Sequence, residues 1–170
     1  MNKLLLAAGI LACSSSVFAS VIDKTVSVDQ EALLLTTADF TPITTVWAGR
    51  TVVTGYQALV DVQGAQSALF FDASGEVSAR WFASNFSLVT KMSCNGVPVG
   101  MSKAYGKRVD GQSTPAQPII TELRKGVEGC TQLKIELSKE GSLSRQFYTR
   151  IQDISFTVAV KGFNSPQGAL

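Results

Sequence analysis

Histidine is absent from the 170 residues, which removes Ser-His and Cys-His nucleophile pairs, imidazole acid–base catalysis and most zinc sites. No Ser-x-x-Lys segment occurs, and there is no glycine-rich phosphate loop. Charge is sparse and nearly balanced, 15 Lys and Arg against 13 Asp and Glu, which implies no nucleic acid or other polyanionic partner. Beyond the N-terminal residues, no apolar run approaches the roughly 20 residues that span a bilayer. Neither a repeat of fixed period nor a low-complexity block is present. No catalytic residue, metal or cofactor is expected.

What is present begins with an export signal. Asn2 and Lys3 give a positive start, residues 4–12 an apolar run, and Val17-Phe18-Ala19 small residues at the cleavage positions. Residues 1–19 thus read as a bacterial-type secretory signal, leaving a chain that starts at Ser20. A rival is a lipobox at Ile10-Leu11-Ala12-Cys13, with Cys13 acylated and retained. Leu11 fits that pattern poorly, and the second processing signal at Ala19 favours ordinary cleavage.

In an oxidising compartment the two remaining cysteines, Cys94 and Cys130, are expected to form a disulfide. Closing their loop of 36 residues contributes about 3–4 kcal/mol in the chain-entropy model. Removing Lys3 leaves a net charge near +1, and a mature chain of about 150 residues suits one domain with a real core.

Alternation of apolar and polar residues with a period of two recurs between turn signals, and helical periodicity is hard to find. The fold class is therefore all-β. Val52, Thr54, Tyr56, Ala58, Val60 and Val62 share one strand face, which Gly64 ends. Residues 68–72 and 76–82 read as a hairpin bent at Ala73-Ser74-Gly75. Phe86, Leu88, Thr90, Met92 and Cys94 share a face, Asn95-Gly96 supplies a two-residue turn, and Val97, Val99 and Met101 continue on the return strand. Residues 106–118 read as a long surface loop. Leu133, Ile135 and Leu137 point inward from the strand that Cys130 opens. The last strand starts with Phe147, Thr149 and Ile151 and slips phase near Gln152-Asp153, where a bulge is expected before Ile154, Phe156, Val158 and Val160. The tail beyond Lys161 has little to pack.

Asp39, Asp61, Asp72, Glu76, Asp110 and Glu122 are the candidate carboxylates for glycoside chemistry, although acids at turns and strand ends are ordinarily just solvated. Trp47, Trp81, Tyr56 and Tyr105 are candidate sugar-stacking rings, with core packing the commoner role for either tryptophan. Lys103, Lys107, Arg108, Arg124 and Lys125 gather in one third of the chain and read first as solvated loop charges.

In residues 20–30, Ile22, Val26 and Val28 lie on one side of an extended segment, with Thr25, Ser27 and Asp29 on the other. Such a segment is either the first strand of its own sandwich or a detachable arm that completes a neighbour's sheet. Taken together, the signal, the alternating arm, the short strands, the disulfide and the missing catalytic groups resemble a chaperone–usher fimbrial subunit. The patches Phe71-Asp72-Ala73-Ser74-Gly75-Glu76-Val77-Ser78-Ala79-Arg80 and Cys94-Asn95-Gly96-Val97-Pro98-Val99 resemble the colonisation-factor type of enteric fimbrial subunit.

The resemblance implies an immunoglobulin-like β-sandwich over residues 31–170 that lacks its final strand. It implies residues 20–30 as donor arm, with Ile22, Val26 and Val28 as donated side chains. The groove would be bordered by the strand carrying Ile154, Phe156, Val158 and Val160. It further implies a chain exported through the periplasm to the cell surface, with other fimbrial subunits, a periplasmic chaperone, an outer-membrane usher and a host receptor as partners. Two departures stand against the family pattern. The chain runs on to Leu170 past its last strand, and its cysteines lie in the second half. A monomeric secreted or lipid-anchored binding module for a glycan or protein is the alternative.

Overall fold

Leu133, Ile135 and Leu137 alternate with Gln132, Lys134, Glu136 and Ser138, and this period of two makes a strand whose apolar set is buried and whose polar set faces outward. The computed structural model describes residues 24–64, 68–80, 85–109, 112–125 and 129–162. The secretory signal, Cys13, Ile22, Trp81, Phe82, Asp110 and the tail beyond Gly162 lie outside those residues, as do the side chains of Lys107, Arg108, Glu122, Arg124 and Lys125.

Among the described residues the strands are β1 (Thr25–Ser27), β2 (Leu33–Thr36), β3 (Thr41–Trp47), β4 (Arg50–Gln63), β5 (Ala68–Arg80), β6 (Asn85–Cys94), β7 (Val97–Val109), β8 (Gln112–Thr114), β9 (Ile119–Lys125), β10 (Gln132–Lys139) and β11 (Arg150–Gly162). A 3-10 turn, Thr37–Asp39, joins β2 to β3, and a short helix α1 (Leu143–Tyr148) joins β10 to β11. One sheet runs β1-β4-β10-β6-β7-β8, with β3 beside β1 along the outer edge of β4, and the other runs β2-β11-β5-β9. Buried Leu88, Met92, Leu133 and Ile135 of the first sheet and Phe71, Val77, Phe156 and Val158 of the second form one core. The chain is an all-β sandwich, as the alternation predicts.

Several local expectations hold. β4 buries Ala58, Val60 and Val62 in the core, and Gly64 follows it with φ of 83°. Val52 is buried as well but does not share their face, because the register against β3 shifts between Ile43 and Thr44 and skips Thr54. Asn95 and Gly96, at φ of 46° and 80°, form the two-residue turn between β6 and β7, where L residues other than Asn and Asp are strained. The last strand shifts register between Ile151 and Asp153, at the expected bulge. Cys94 and Cys130 are disulfide-bonded with Cα atoms 5.7 Å apart.

Four further expectations are corrected. Residues 73–75 are no turn, because β5 continues through them. A Cβ on Gly75 would land on the Phe156 ring of the neighbouring strand, so glycine here answers close packing rather than chain reversal. Residues 106–118 are no open loop. β7 extends to Val109 and pairs with β8, after which Ala116 is fully buried and exchanges backbone hydrogen bonds with Val77. Phe147 belongs to α1, which Ser142 caps by accepting from the Arg145 N–H, and not to the last strand. Finally, β7 does not keep Val97, Val99 and Met101 on one face. Its register shifts opposite Met92 and Ser93, so Val99 is buried while Met101 turns outward and is 71% exposed.

Candidate functional site

The N-terminal segment closes one end of the sandwich. Alternation carries Val26 and Val28 inward, where both join the core. Thr25, Val26 and Ser27 pair in parallel with Asp61, Val62 and Gln63, at the end of β4. The Lys24 carbonyl accepts from the Asp61 N–H at 2.9 Å, and the Val28 N–H donates to the Gln63 carbonyl at 2.8 Å. Asp29 then takes a left-handed φ of 62°, a conformation that Asp tolerates better than most residues. That turn sends the chain across to the other sheet, where the Asp29 N–H donates to the Val160 carbonyl at 2.9 Å and its carboxylate accepts from the Gly162 N–H at 3.0 Å.

A second tie holds the base of the segment. The Lys24 ammonium lies 3.2 Å from an Asp39 carboxylate oxygen, whose other oxygen accepts from the Thr36 N–H and hydroxyl. Partial burial raises the Asp39 pKa, but the Thr36 donors and the Lys24 charge outweigh it and hold the carboxyl below its ordinary value.

Ile154, Phe156, Val158 and Val160 all point into the core and are buried. Their strand, β11, is interior to its sheet. β5 pairs with one side along its length and β2 with Ser155–Val158 on the other, the Thr37 hydroxyl accepts from the Ile154 N–H at 2.8 Å, and Asp29 reaches Val160. The segment's ladder hydrogen bonds therefore run to β4, whereas its hydrogen bonds to β11 come from Asp29 and its valines meet β11 side chains within the core.

Energetically the segment is close to balance. Burying two valines contributes about 3–6 kcal/mol, its hydrogen bonds add about 0.5–1.5 kcal/mol each, and ordering a residue costs about 1–2 kcal/mol. Exposed Asp29, Gln30, Glu31 and Ala32 connect it to β2. This is a docked element on an exposed tether.

At the same end, Asn95 ties the disulfide region together, a role its turn signal did not reveal. Its amide nitrogen donates to the Gly129 carbonyl at 2.7 Å, and its side-chain oxygen accepts from the Thr131 N–H, the Thr131 hydroxyl and the Gln132 N–H.

Among the described residues the candidate aromatic rings lie on different strands, Trp47 on β3, Tyr56 on β4 and Tyr105 on β7. Trp47 is half-buried with its ring 6.2 Å from that of Phe147, over which Arg50 sits at 5.7 Å. Tyr56 packs against the core, and burial raises its pKa. Tyr105 stands 68% exposed on β7 with the Lys103 ammonium 5.5 Å above its ring. Lys103 also pairs with Glu140 at 2.7 Å, so this member of the basic group is engaged locally. Of the candidate carboxylates, Asp39 is committed to Thr36 and Lys24, Asp61 lies opposite Thr25, and Asp72 and Glu76 lie on β5. The chain matches no protein-family model and no curated protein, so no relative supplies a role for these residues.

Proposed function

We propose that the chain is a structural subunit of an exported surface fibre, one that polymerises by exchanging its N-terminal segment between copies. The observation that supports this most directly is the docking of Val26 and Val28. They fill the core through a pairing of three residues at the end of an exposed tether. A neighbour's segment docked at the same place would keep every hydrogen bond and core contact while linking two copies. Head-to-tail repetition of a non-closing contact of this kind builds a filament. A periplasmic chaperone, an outer-membrane usher and other fibre subunits are the partners this function requires, with a host receptor for a fibre that adheres.

A test uses the pair Thr25 and Asp61, which lie opposite each other in the parallel ladder. Thr25→Cys combined with Asp61→Cys should give oxidised ladders of covalently linked copies under assembly conditions. Deleting residues 20–29 should leave a foldable domain that no longer assembles. Cross-links confined to single copies, together with fibres from the truncated chain, would overturn exchange through this segment.

The second reading, a monomeric binding module, is favoured by one observation. The segment and residues 29–37 cover the β4 and β11 edges within a single copy. It requires a single monomeric peak in size-exclusion chromatography at all concentrations, with no assembly on prolonged incubation.

A further inference from the structure

The register shift in β7 shapes the outer face of the first sheet. Glu136, Lys91 and Met101 form one cross-strand row, and Lys134, Ser93 and Pro98 form the next. Between Pro98 and Met101 the strand turns Val99 inward and presents only Gly100, which has no side chain. The consequence is a recess of about 580 Å³ over Gly100, walled by Lys91, Ser93, Pro98, Met101, Lys134 and Glu136. That volume falls within the roughly 300–1,000 Å³ of small-molecule sites.

Its charges do not cancel. The Lys134 ammonium lies 2.9 Å from Glu136, and that contact, aided by the Ser138 hydroxyl and the Lys91 charge, outweighs partial burial and lowers the Glu136 pKa below its ordinary value. Two ammonium groups thus face one carboxylate. Beside them stand the exposed side chains of Met101 and Pro98, which contribute nothing to the core.

We propose that this recess binds an acidic saccharide, whose carboxylate meets Lys91 and Lys134 and whose ring lays its C–H face on Met101 and Pro98. The Ser93 hydroxyl and the Glu136 carboxylate supply a donor and acceptors for ring hydroxyls. A neutral sugar would leave the surplus ammonium without a counter-charge. A wholly apolar ligand would strip water from three charged groups with no compensating hydrogen bond. A uronic acid satisfies the charge, the hydroxyl partners and the apolar wall together. The recess is on the outer face while Val26 and Val28 point into the core, so the proposal holds whether or not the N-terminal segment exchanges between copies.

The test is two-dimensional amide NMR of the folded, isotope-labelled protein titrated with glucuronic acid, glucose and acetate. Glucuronic acid should move the amides of Ser93, Gly100, Met101 and Lys134 saturably in the millimolar range. Glucose and acetate should bind at least tenfold more weakly. Lys91→Gln and Lys134→Gln, both at solvent-facing positions and each checked for an unchanged fold by its own spectrum, should weaken the response at least fivefold. The proposal is overturned by an absence of saturable shifts at these amides, by an equal response to acetate or glucose, or by unchanged affinity in both variants.

Discussion

Lys139 is the charged side chain whose environment conflicts most with its charge, and stability against pH should report it. The residue is buried at the end of β10, where its ammonium donates to the carbonyl oxygens of Gln146 and Thr149 at 2.8 Å each. Among the described residues no carboxylate pairs with it. Burial pushes its pKa from 10.5 down to about 8, since a desolvated ammonium is costly. The folded value lies below the unfolded one, so between about pH 8 and 10.5 the unfolded chain keeps a proton that the folded chain has released. Stability therefore rises with pH through that window, and the penalty is fully present below it.

At about 1.4 kcal/mol for each tenfold change in proton affinity, the ceiling is about 3 kcal/mol. The two carbonyl bonds favour the charged form and should reduce the gain to about 1–2 kcal/mol. Lys139→Met keeps most of the side-chain volume and removes the titration. Urea unfolding of both proteins at intervals from pH 7 to 10 gives a difference curve in which the other lysines and the tyrosines cancel. The natural chain should gain about 1–2 kcal/mol on the variant across the window. A constant offset, from carbonyls left unpaired in the variant, would not tilt the curve. A flat difference would refute the claim that Lys139 is held against its charge.

Three further expectations follow from close contacts and cross-links. Gly106→Ala would place a Cβ on the Phe86 ring that covers it, and overpacking of this kind costs about 1–3 kcal/mol, readable as a lowered urea midpoint with unchanged slope. Replacing Cys94 and Cys130 together by alanine releases the loop of 36 residues and should cost about 3–4 kcal/mol. In thermal unfolding this should appear as a midpoint lowered by about 10 °C. Asn95→Gly keeps the left-handed turn but loses the four side-chain bonds to residues 129–132, a loss of about 1–3 kcal/mol. Asn95→Ala should cost more, because it adds backbone strain, and faster amide exchange at Thr131 and Gln132 should accompany both.

The sandwich was legible because its signals are local and periodic. The strand from Leu133 to Leu137 and the Asn95-Gly96 turn each carry their conformation in a few adjacent residues, and the pairing of the two cysteines needed only the expectation of an oxidising compartment. The misreadings arose where a residue answers a distant neighbour. Gly75 looks like a turn residue until Phe156 is seen occupying the place of its Cβ. Phe147 fits the alternation of the last strand, and its true place in α1 depends on Ser142 as cap and on Lys139 binding carbonyls at the other end of the helix. The bulge that turned Met101 outward was invisible for the same reason, because Val97, Val99 and Met101 alternate as a regular strand would. At the N-terminal segment, the inward phase of Val26 and Val28 was readable, whereas its parallel partner on β4 was not. Pairing partners across a sheet leave no mark in a single stretch of sequence.

Tether length sets a condition on the proposed exchange. Docking within one copy and docking between copies would make the same contacts, so the choice between them turns on concentration rather than on bond strength. A tether as short as residues 29–32 holds its own segment at an effective concentration on the order of millimolar or above. Free subunits at lower concentration should therefore remain self-closed, however favourable the fibre contact is. Exchange then needs either a component that holds the segment out of its own core or a docking surface that raises the local concentration of subunits. A chaperone that occupies the β4 edge would meet the first requirement. The proposed mechanism predicts that purified subunits stay monomeric at micromolar concentration, and that weakening the self-closed form with Asp39→Asn, which removes the Lys24 tie without touching the core, speeds assembly. If that variant assembles no faster while remaining folded, release of the segment is not the step that limits polymerisation.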